Sequence, residues 1–156
     1  MQDAEKALIG RCGIYCGACC IYRAQRDSPK LVEKLAAAFK TTPDKIRCNG
    51  CGDLTEGSWW IGCHVIECQD EKGYTYCFEC PEFETDTCKQ FKERAESYLE
   101  EDGVDMRRNM CLIRDGRIDE WLEESQRRNT CPHCGKPTIA GRKTCHHCEG
   151  DLGSSG

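Results

Sequence analysis

Apolar positions are sparse along the chain and divide it into four regions. The first, RCGIYCGACCIY at 11–22, is dense in Cys, Gly and aromatic residues. It leads into a helix predicted over about 29–40. There Ser28 suits the N-cap, Pro29 suits the first helical position, and Leu31, Val32, Leu35, Ala36, Ala38 and Phe39 recur at helical spacing. The second, Cys48 to Cys88, has too few periodic apolar residues for long elements, so loops and short hairpins are expected. The third is helical, with Phe91, Ala95, Tyr98 and Leu99 on one face of a segment over about 85–101 that Asp102-Gly103 stops. Two shorter helices follow near 104–114 and 117–128, split by Asp115-Gly116, and Ile118, Trp121 and Leu122 form the buried side of the second. The fourth region, NTCPHCGKPTIAGRKTCHHCEG at 129–150, reads as a unit of its own, and residues 151–156 read as a disordered tail.

Composition explains why the apolar pattern is thin. Leu, Ile, Val and Phe supply 24 of 156 residues, below the roughly 20% under which chains tend toward disorder. Cysteine supplies 16, a level typical of cross-linked scaffolds. A large apolar core is excluded, and something the thiols hold must provide the missing stability. The opening MQDAEKALIG lacks a basic start followed by an apolar run, and no stretch approaches a membrane span. A cytoplasmic address is expected, where thiols stay reduced. Five CxxC pairs, at 16/19, 48/51, 77/80, 131/134 and 145/148, follow the spacing of metal ligands.

The most specific motif is CPHCG at 131–135 followed by CHHC at 145–148, which reads as a zinc ribbon with Cys131, Cys134, Cys145 and Cys148 around one tetrahedral ion. Four thiolates leave no open position for water, so such a site is structural. His133, His146 and His147 read as exposed knuckle residues. The cysteines at 12, 16, 19, 48, 51, 63, 68, 77, 80 and 88 can build two further sites. One grouping takes Cys16, Cys19, Cys48 and Cys51, and the other takes Cys63, Cys68, Cys77 and Cys80, with Cys12 and Cys88 as additional candidates. About three Zn²⁺ ions follow. An iron–sulfur cluster is the alternative in the N-terminal domain, because thiolates serve both. Cys111 reads as a small packed residue, Cys20 as packed or a spare ligand, and Trp59 and Trp60 as a lid over a metal site. The carboxylates of 82–86 and 93–102 read as solvated helix faces, and no Ser-His-Asp set, phosphate-cradling loop or HExxH motif is present.

RCGIYCGAC at 11–19, CNGCG at 48–52 and CHVIECQDEKGYTYCFECPEF at 63–83 together resemble a bacterial and archaeal cysteine-rich family known as domain of unknown function three-seven-nine-five. The resemblance covers about residues 11–100 and implies zinc binding without a known activity. Two departures stand out: Cys20 occupies a position where Pro is common, and the family's EFPC is stretched to EFETDTC, ending at Cys88.

The expected architecture is α+β and metal-organised. A Cys-rich metal-binding domain spans 11–101, a helical connector 102–128 and a zinc ribbon 129–150. The expected function is that of a non-catalytic zinc-binding adaptor for a protein partner. The alternatives are an iron–sulfur or thiol redox protein and a nucleic-acid-associated ribbon protein. Charge bears on the last. From Arg127 to Cys148 five bases (Arg127, Arg128, Lys136, Arg142 and Lys143) meet no acid, whereas the other residues carry 17 bases against 27 acids. Specific nucleic-acid binding is therefore not expected, because the acidic bulk repels phosphate and no aromatic residue in the basic segment can stack on bases. The basic face is expected to dock on an acidic protein surface, with the chain's own N-terminal domain a candidate.

Structural zinc contributes about 10–16 kcal/mol of apparent binding energy, comparable with the whole stability of about 5–15 kcal/mol of an ordinary domain. Chelation is therefore expected to unfold the protein. A far-UV circular dichroism spectrum unchanged after complete metal removal would contradict this.

Overall fold

The structure, a computed structural model, describes residues 3–153. It is helical. Eight α-helices run in the order α1 (Asp3–Lys6), α2 (Cys20–Asp27), α3 (Pro29–Ala38), α4 (His64–Lys72), α5 (Pro81–Glu84), α6 (Lys89–Asp102), α7 (Met106–Arg114) and α8 (Ile118–Arg128). Short 3₁₀ turns at Cys16–Ala18, Pro43–Lys45 and Cys77–Glu79 complete the regular structure. The expected β component is reduced to isolated antiparallel bridges, Ile9↔Tyr15, Thr130↔Pro137 and Thr144↔Asp151. The physical reason is spacing. Tight turns between cysteines leave no run of alternating residues long enough to pair as strands.

Helices with ordinary caps fall close to where they were expected. The Ser28 hydroxyl accepts from the Leu31 N–H at 3.3 Å at the start of α3, and Asp105 accepts from the Arg108 N–H at 2.9 Å at the start of α7. α6 begins later than expected because Cys80-Pro81 starts a short helix of its own and Asp86 takes a left-handed conformation, φ 55°. α4 lies in the region expected to hold loops and short hairpins, and α2 in a segment assigned no element. Both begin at a cysteine: Cys19 is the N-cap of α2 and Cys63 of α4, as Cys80 is of α5 and Cys88 of α6. Cysteine is not an ordinary capping residue, so these starts carried no familiar signal.

Two small apolar clusters replace one large core. The first joins Ile9, Val65, Phe83, Phe91, Met106, Met110 and Trp121, with Cys111 packed at its edge. The second joins Ile21, Ala24, Leu31, Leu35 and Ile46 with Ile139 from the C-terminal segment. That segment, read from the sequence as a separate unit, lies against α2 and α3 through Ile139, and the Ala140 N–H donates to the Ala18 carbonyl at 3.0 Å. Its end is ordered through Leu152, whose N–H donates to the Lys143 carbonyl at 2.8 Å. The rest of the expected tail, residues 154–156, lies outside the described residues. Among the described residues no helix is long and apolar enough to cross a membrane.

Trp121 is the largest fully buried side chain, 1% exposed, and meets Tyr15 edge to face at 6.0 Å. Its indole N–H has no hydrogen-bond partner. Trp121→Ala is therefore expected to cost about 3–5 kcal/mol through the cavity it leaves. Trp121→Phe is expected to cost clearly less, because no hydrogen bond is lost with the indole nitrogen. Denaturant midpoints of the two variants check both.

Candidate metal centres

All 16 cysteines are free thiols, and all but Cys111 fall into three groups. The C-terminal group is the tightest. Each knuckle is a closed turn: the Cys131 N–H donates to the Lys136 carbonyl and the Gly135 N–H to the Cys131 carbonyl, both at 2.9 Å. The second knuckle repeats this, from Cys145 N–H to Gly150 and from Glu149 N–H to Cys145, again at 2.9 Å. Gly135 turns the first with φ 71°, a left-handed conformation that glycine adopts without strain. The isolated bridges Thr130↔Pro137 and Thr144↔Asp151 flank one knuckle each, and among the described residues no bridge pairs the stretch between the knuckles with itself.

The knuckles bring Cys131, Cys134, Cys145 and Cys148 together with all four sulfurs within 4.8 Å of one another. Cys131 Sγ lies 3.7 Å from Cys148 Sγ and Cys134 Sγ lies 3.8 Å from Cys145 Sγ. Bonds of about 2.3 Å from one tetrahedral ion place its sulfurs ~3.8 Å apart, so the donor set fits a single four-coordinate metal. Backbone amides point at the sulfurs. The His147 N–H donates to Cys145 Sγ at 3.4 Å. Burial opposes ionisation of Cys131, but the N–H groups of Cys134 and His133 and the adjoining thiols outweigh it and bring the thiol to about 6.

Two groups lie in the N-terminal region. The larger surrounds a cavity of about 340 Å³ lined by Cys12, Cys16, Cys19, Cys20, Cys48, Cys51 and Cys63. The knuckle amide bonds recur here, from Gly50 N–H to Cys48 Sγ and from Cys51 N–H to Cys16 Sγ, both at 3.4 Å. Gly50 takes φ 110°, and a Cβ there would collide with the Ala7 carbonyl oxygen, so this turn requires glycine. A hydrogen bond with Cys51, then burial, pushes the Cys16 thiol up, and the same bond pulls Cys51 down. Cys19 is pulled down to about 6, chiefly by the Cys20 thiol and against burial, with help from the Trp60 indole and the N–H groups of Tyr22 and Ile21. Trp60 thus lines the cavity of this group, and the Trp59 ring meets Phe39 at 5.1 Å with a 38° tilt. Cys12 is pushed up to about 12, by burial first and then by its neighbours Cys51 and Cys77, which places it between the two groups.

The smaller group lines a space of about 30 Å³ with Cys68, Cys77, Cys80 and Cys88. The Gln69 amide donates to Cys77 Sγ at 3.2 Å, and Lys72 Nζ lies 3.8 Å from Cys80 Sγ. Burial pushes Cys77 up to about 12, while the thiolates of Cys68 and Cys80 hold Lys72 above its usual value. Among the described residues only the C-terminal sulfurs meet within 4.8 Å of one another; here Cys88, and not Cys63, lines one space with Cys68, Cys77 and Cys80. The reason is helical. Cys63 is the N-cap of α4, with extended backbone, whereas Cys68 lies within the helix, so the two thiols leave it in different directions. They face different cavities.

Sequence reasoning missed the surroundings of the C-terminal histidines. His146 and His147, read as exposed, have side chains only 8% and 15% exposed and both approach Asp27 on α2. His133 Nε2 lies 2.8 Å from the Asp151 carbonyl oxygen. No sequence signal links Asp27 to these residues, since it reads as the polar end of a helix more than a hundred positions away.

A small helical fold in which thiol groups occupy the place of an apolar core is thus the class to which this protein belongs. The chain is a member of the family described as protein of unknown function (DUF3795), which matches residues 8–93. That match takes in both N-terminal thiol groups and stops within α6, leaving α7, α8 and the C-terminal knuckles outside it. No curated protein and no solved structure matches the chain.

Proposed function

We propose that the protein is a non-catalytic, zinc-organised adaptor of the reducing cytoplasm, whose Cys₄ sites hold its helices in place for docking to a protein partner. The observation that carries this reading is the closed sulfur tetrahedron of Cys131, Cys134, Cys145 and Cys148. Four thiolates fill the coordination sphere of zinc and leave no position for substrate or water. In the zinc-ribbon reading, these residues hold the ion and α8 carries the unit. The four thiols of Cys68, Cys77, Cys80 and Cys88 line one space and offer the same donor chemistry. The basic C-terminal segment makes contacts within the chain: Arg128 bonds the Gly103 carbonyl, and His146 meets Asp27. Such contacts favour a protein surface over nucleic acid as its neighbour.

A second reading rests on the larger cavity. Seven thiols around about 340 Å³ exceed what one tetrahedral ion needs. An iron–sulfur cluster held there would make the protein an electron carrier. Protein purified without oxygen separates the two. Zinc at about one ion per filled site with no visible colour is expected, whereas broad brown absorption with iron and acid-labile sulfide would establish the second reading.

The thiol partition gives its own test, because ligands of one ion are not additive. Cys80→Ser and Cys88→Ser are each expected to lose one metal equivalent, and the double variant no more than one. Combining Cys63→Ser with Cys80→Ser is expected to lose more metal than either change alone. Metal-to-protein ratios from mass spectrometry of the variants decide it.

A further inference from the structure

The geometry points to a separate binding site for a divalent transition-metal ion, formed by Asp27, His146 and His147, that clamps the C-terminal knuckles to α2. One carboxylate oxygen is the focus. Asp27 Oδ2 lies 2.8 Å from His146 Nε2 and 3.4 Å from His147 Nε2, and all three ligand atoms fall within 4.8 Å of one another. The Pro137 carbonyl oxygen lies 3.1 Å from the same His147 nitrogen and offers a fourth donor. Bonds of about 2.0–2.2 Å to nitrogen and oxygen set neighbouring ligand atoms about 2.8–3.6 Å apart, from right-angled to tetrahedral arrangements. The separations of Asp27 from His146 and His147, and of His147 from Pro137, lie in that interval. Two imidazoles and a carboxylate suit zinc and its first-row neighbours, a chemistry unlike that of the sulfur sites.

Hydrogen bonding alone leaves the cluster poorly satisfied. His147 Nε2 faces two oxygens, yet an imidazole nitrogen carries at most one proton to donate. Arg23 Nε is buried without a hydrogen-bond partner, 3.8 Å from Asp27 Oδ2. A buried nitrogen left unpaired beside a carboxylate calls for an explanation, and a carboxylate committed to a metal ion supplies one. The site is half-buried, with the side chains of Asp27, His146 and His147 12%, 8% and 15% exposed. Charge from the sulfur site offsets the Arg23 guanidinium that lies 3.8 Å from Asp27 Oδ2. Cys145 and Cys148 flank the two histidines, and a zinc ion held by four thiolates carries two excess negative charges. That charge argument rests on the thiolate-centre reading above, whereas the ligand set does not.

The ion would join residues 119 positions apart in the chain. It would act with Ile139 in the second apolar cluster to fix the knuckles on the N-terminal region. Its role is therefore that of a tether between the two parts of the molecule.

The test uses the full chain, stripped of metal, reloaded with Zn²⁺ or Co²⁺ and freed of excess. Asp27→Asn, which keeps the side-chain shape, and the double variant His146→Gln/His147→Gln are each expected to bind one equivalent of zinc fewer than the wild type. Their cobalt forms are expected to keep the full thiolate-to-metal charge-transfer absorption. Unchanged zinc stoichiometry in both variants overturns the proposal. So does a lost equivalent in Asp27→Asn that takes thiolate absorption with it, because the ion was then bound by sulfur. Should either variant fail to fold, cobalt titration of the wild type decides. A step adding visible d–d absorption without thiolate bands supports the site, and thiolate absorption accompanying every bound cobalt overturns it. A wild type with no thiolate absorption at all would defeat the sulfur-centre reading instead, and the histidine equivalent would still be counted separately.

Discussion

Four helices of this protein, α2, α4, α5 and α6, start where sulfur has to be held. Cys19, Cys63, Cys80 and Cys88 are the N-caps of α2, α4, α5 and α6, and Cys16 and Cys77 open 3₁₀ turns. A helix N-terminus carries unpaired N–H groups and the positive end of the macrodipole, which favour a thiolate. Capping by cysteine therefore does two things at once. It sets a thiol beside the positive end of the helix, without a side-chain cap hydrogen bond, and it brings that sulfur to the wall of a shared cavity. The positions of α2, α4, α5 and α6 follow from this requirement, with the two modest apolar clusters filling the space behind.

Crowding of thiols has an electrostatic consequence. Neighbouring sulfurs cannot all ionise without a counter-charge, so in the larger N-terminal group and in the C-terminal group some thiols are pulled down and others pushed up. Cys51 and Cys16 form one such pair, and Cys19 and Cys20 another. A proton shared between sulfurs is a poor substitute for a dication, which stabilises every thiolate in the group together. Lys72 beside Cys80 and the amides aimed at Cys16, Cys48 and Cys145 provide lesser counterweights.

The C-terminal segment illustrates how a metal knuckle becomes part of a larger fold. Its turns are closed by local backbone hydrogen bonds, so they carry their own geometry. Their placement comes from elsewhere: Ile139 enters the cluster of Ile21, Ala24 and Leu35, Ala140 bonds Ala18, and His146 reaches Asp27. Apolar burial supplies the attraction, and the buried polar contacts fix the orientation.

From the sequence alone, the helices over 29–40, 104–114 and 117–128 were legible, because Ser28, Pro29, Asp102-Gly103 and Asp115-Gly116 are local signals that act within one turn. The shortage of aliphatic residues, the family and the gathering of Cys131, Cys134, Cys145 and Cys148 were legible for the same reason, since composition and CxxC spacing are written along the chain. α2 and α4 were not, because a cysteine N-cap looks like a ligand and not like the start of a helix. The α+β expectation failed because metal-type knuckles need turns and not strands. Only the tertiary structure separated Cys63 from Cys68, since the N-cap and the interior of α4 turn neighbours in sequence toward different cavities, and only it brought Asp27 to His146 and His147. Contacts between distant segments depend on how helices pack, and packing geometry leaves no periodic trace in a chain whose apolar residues are few.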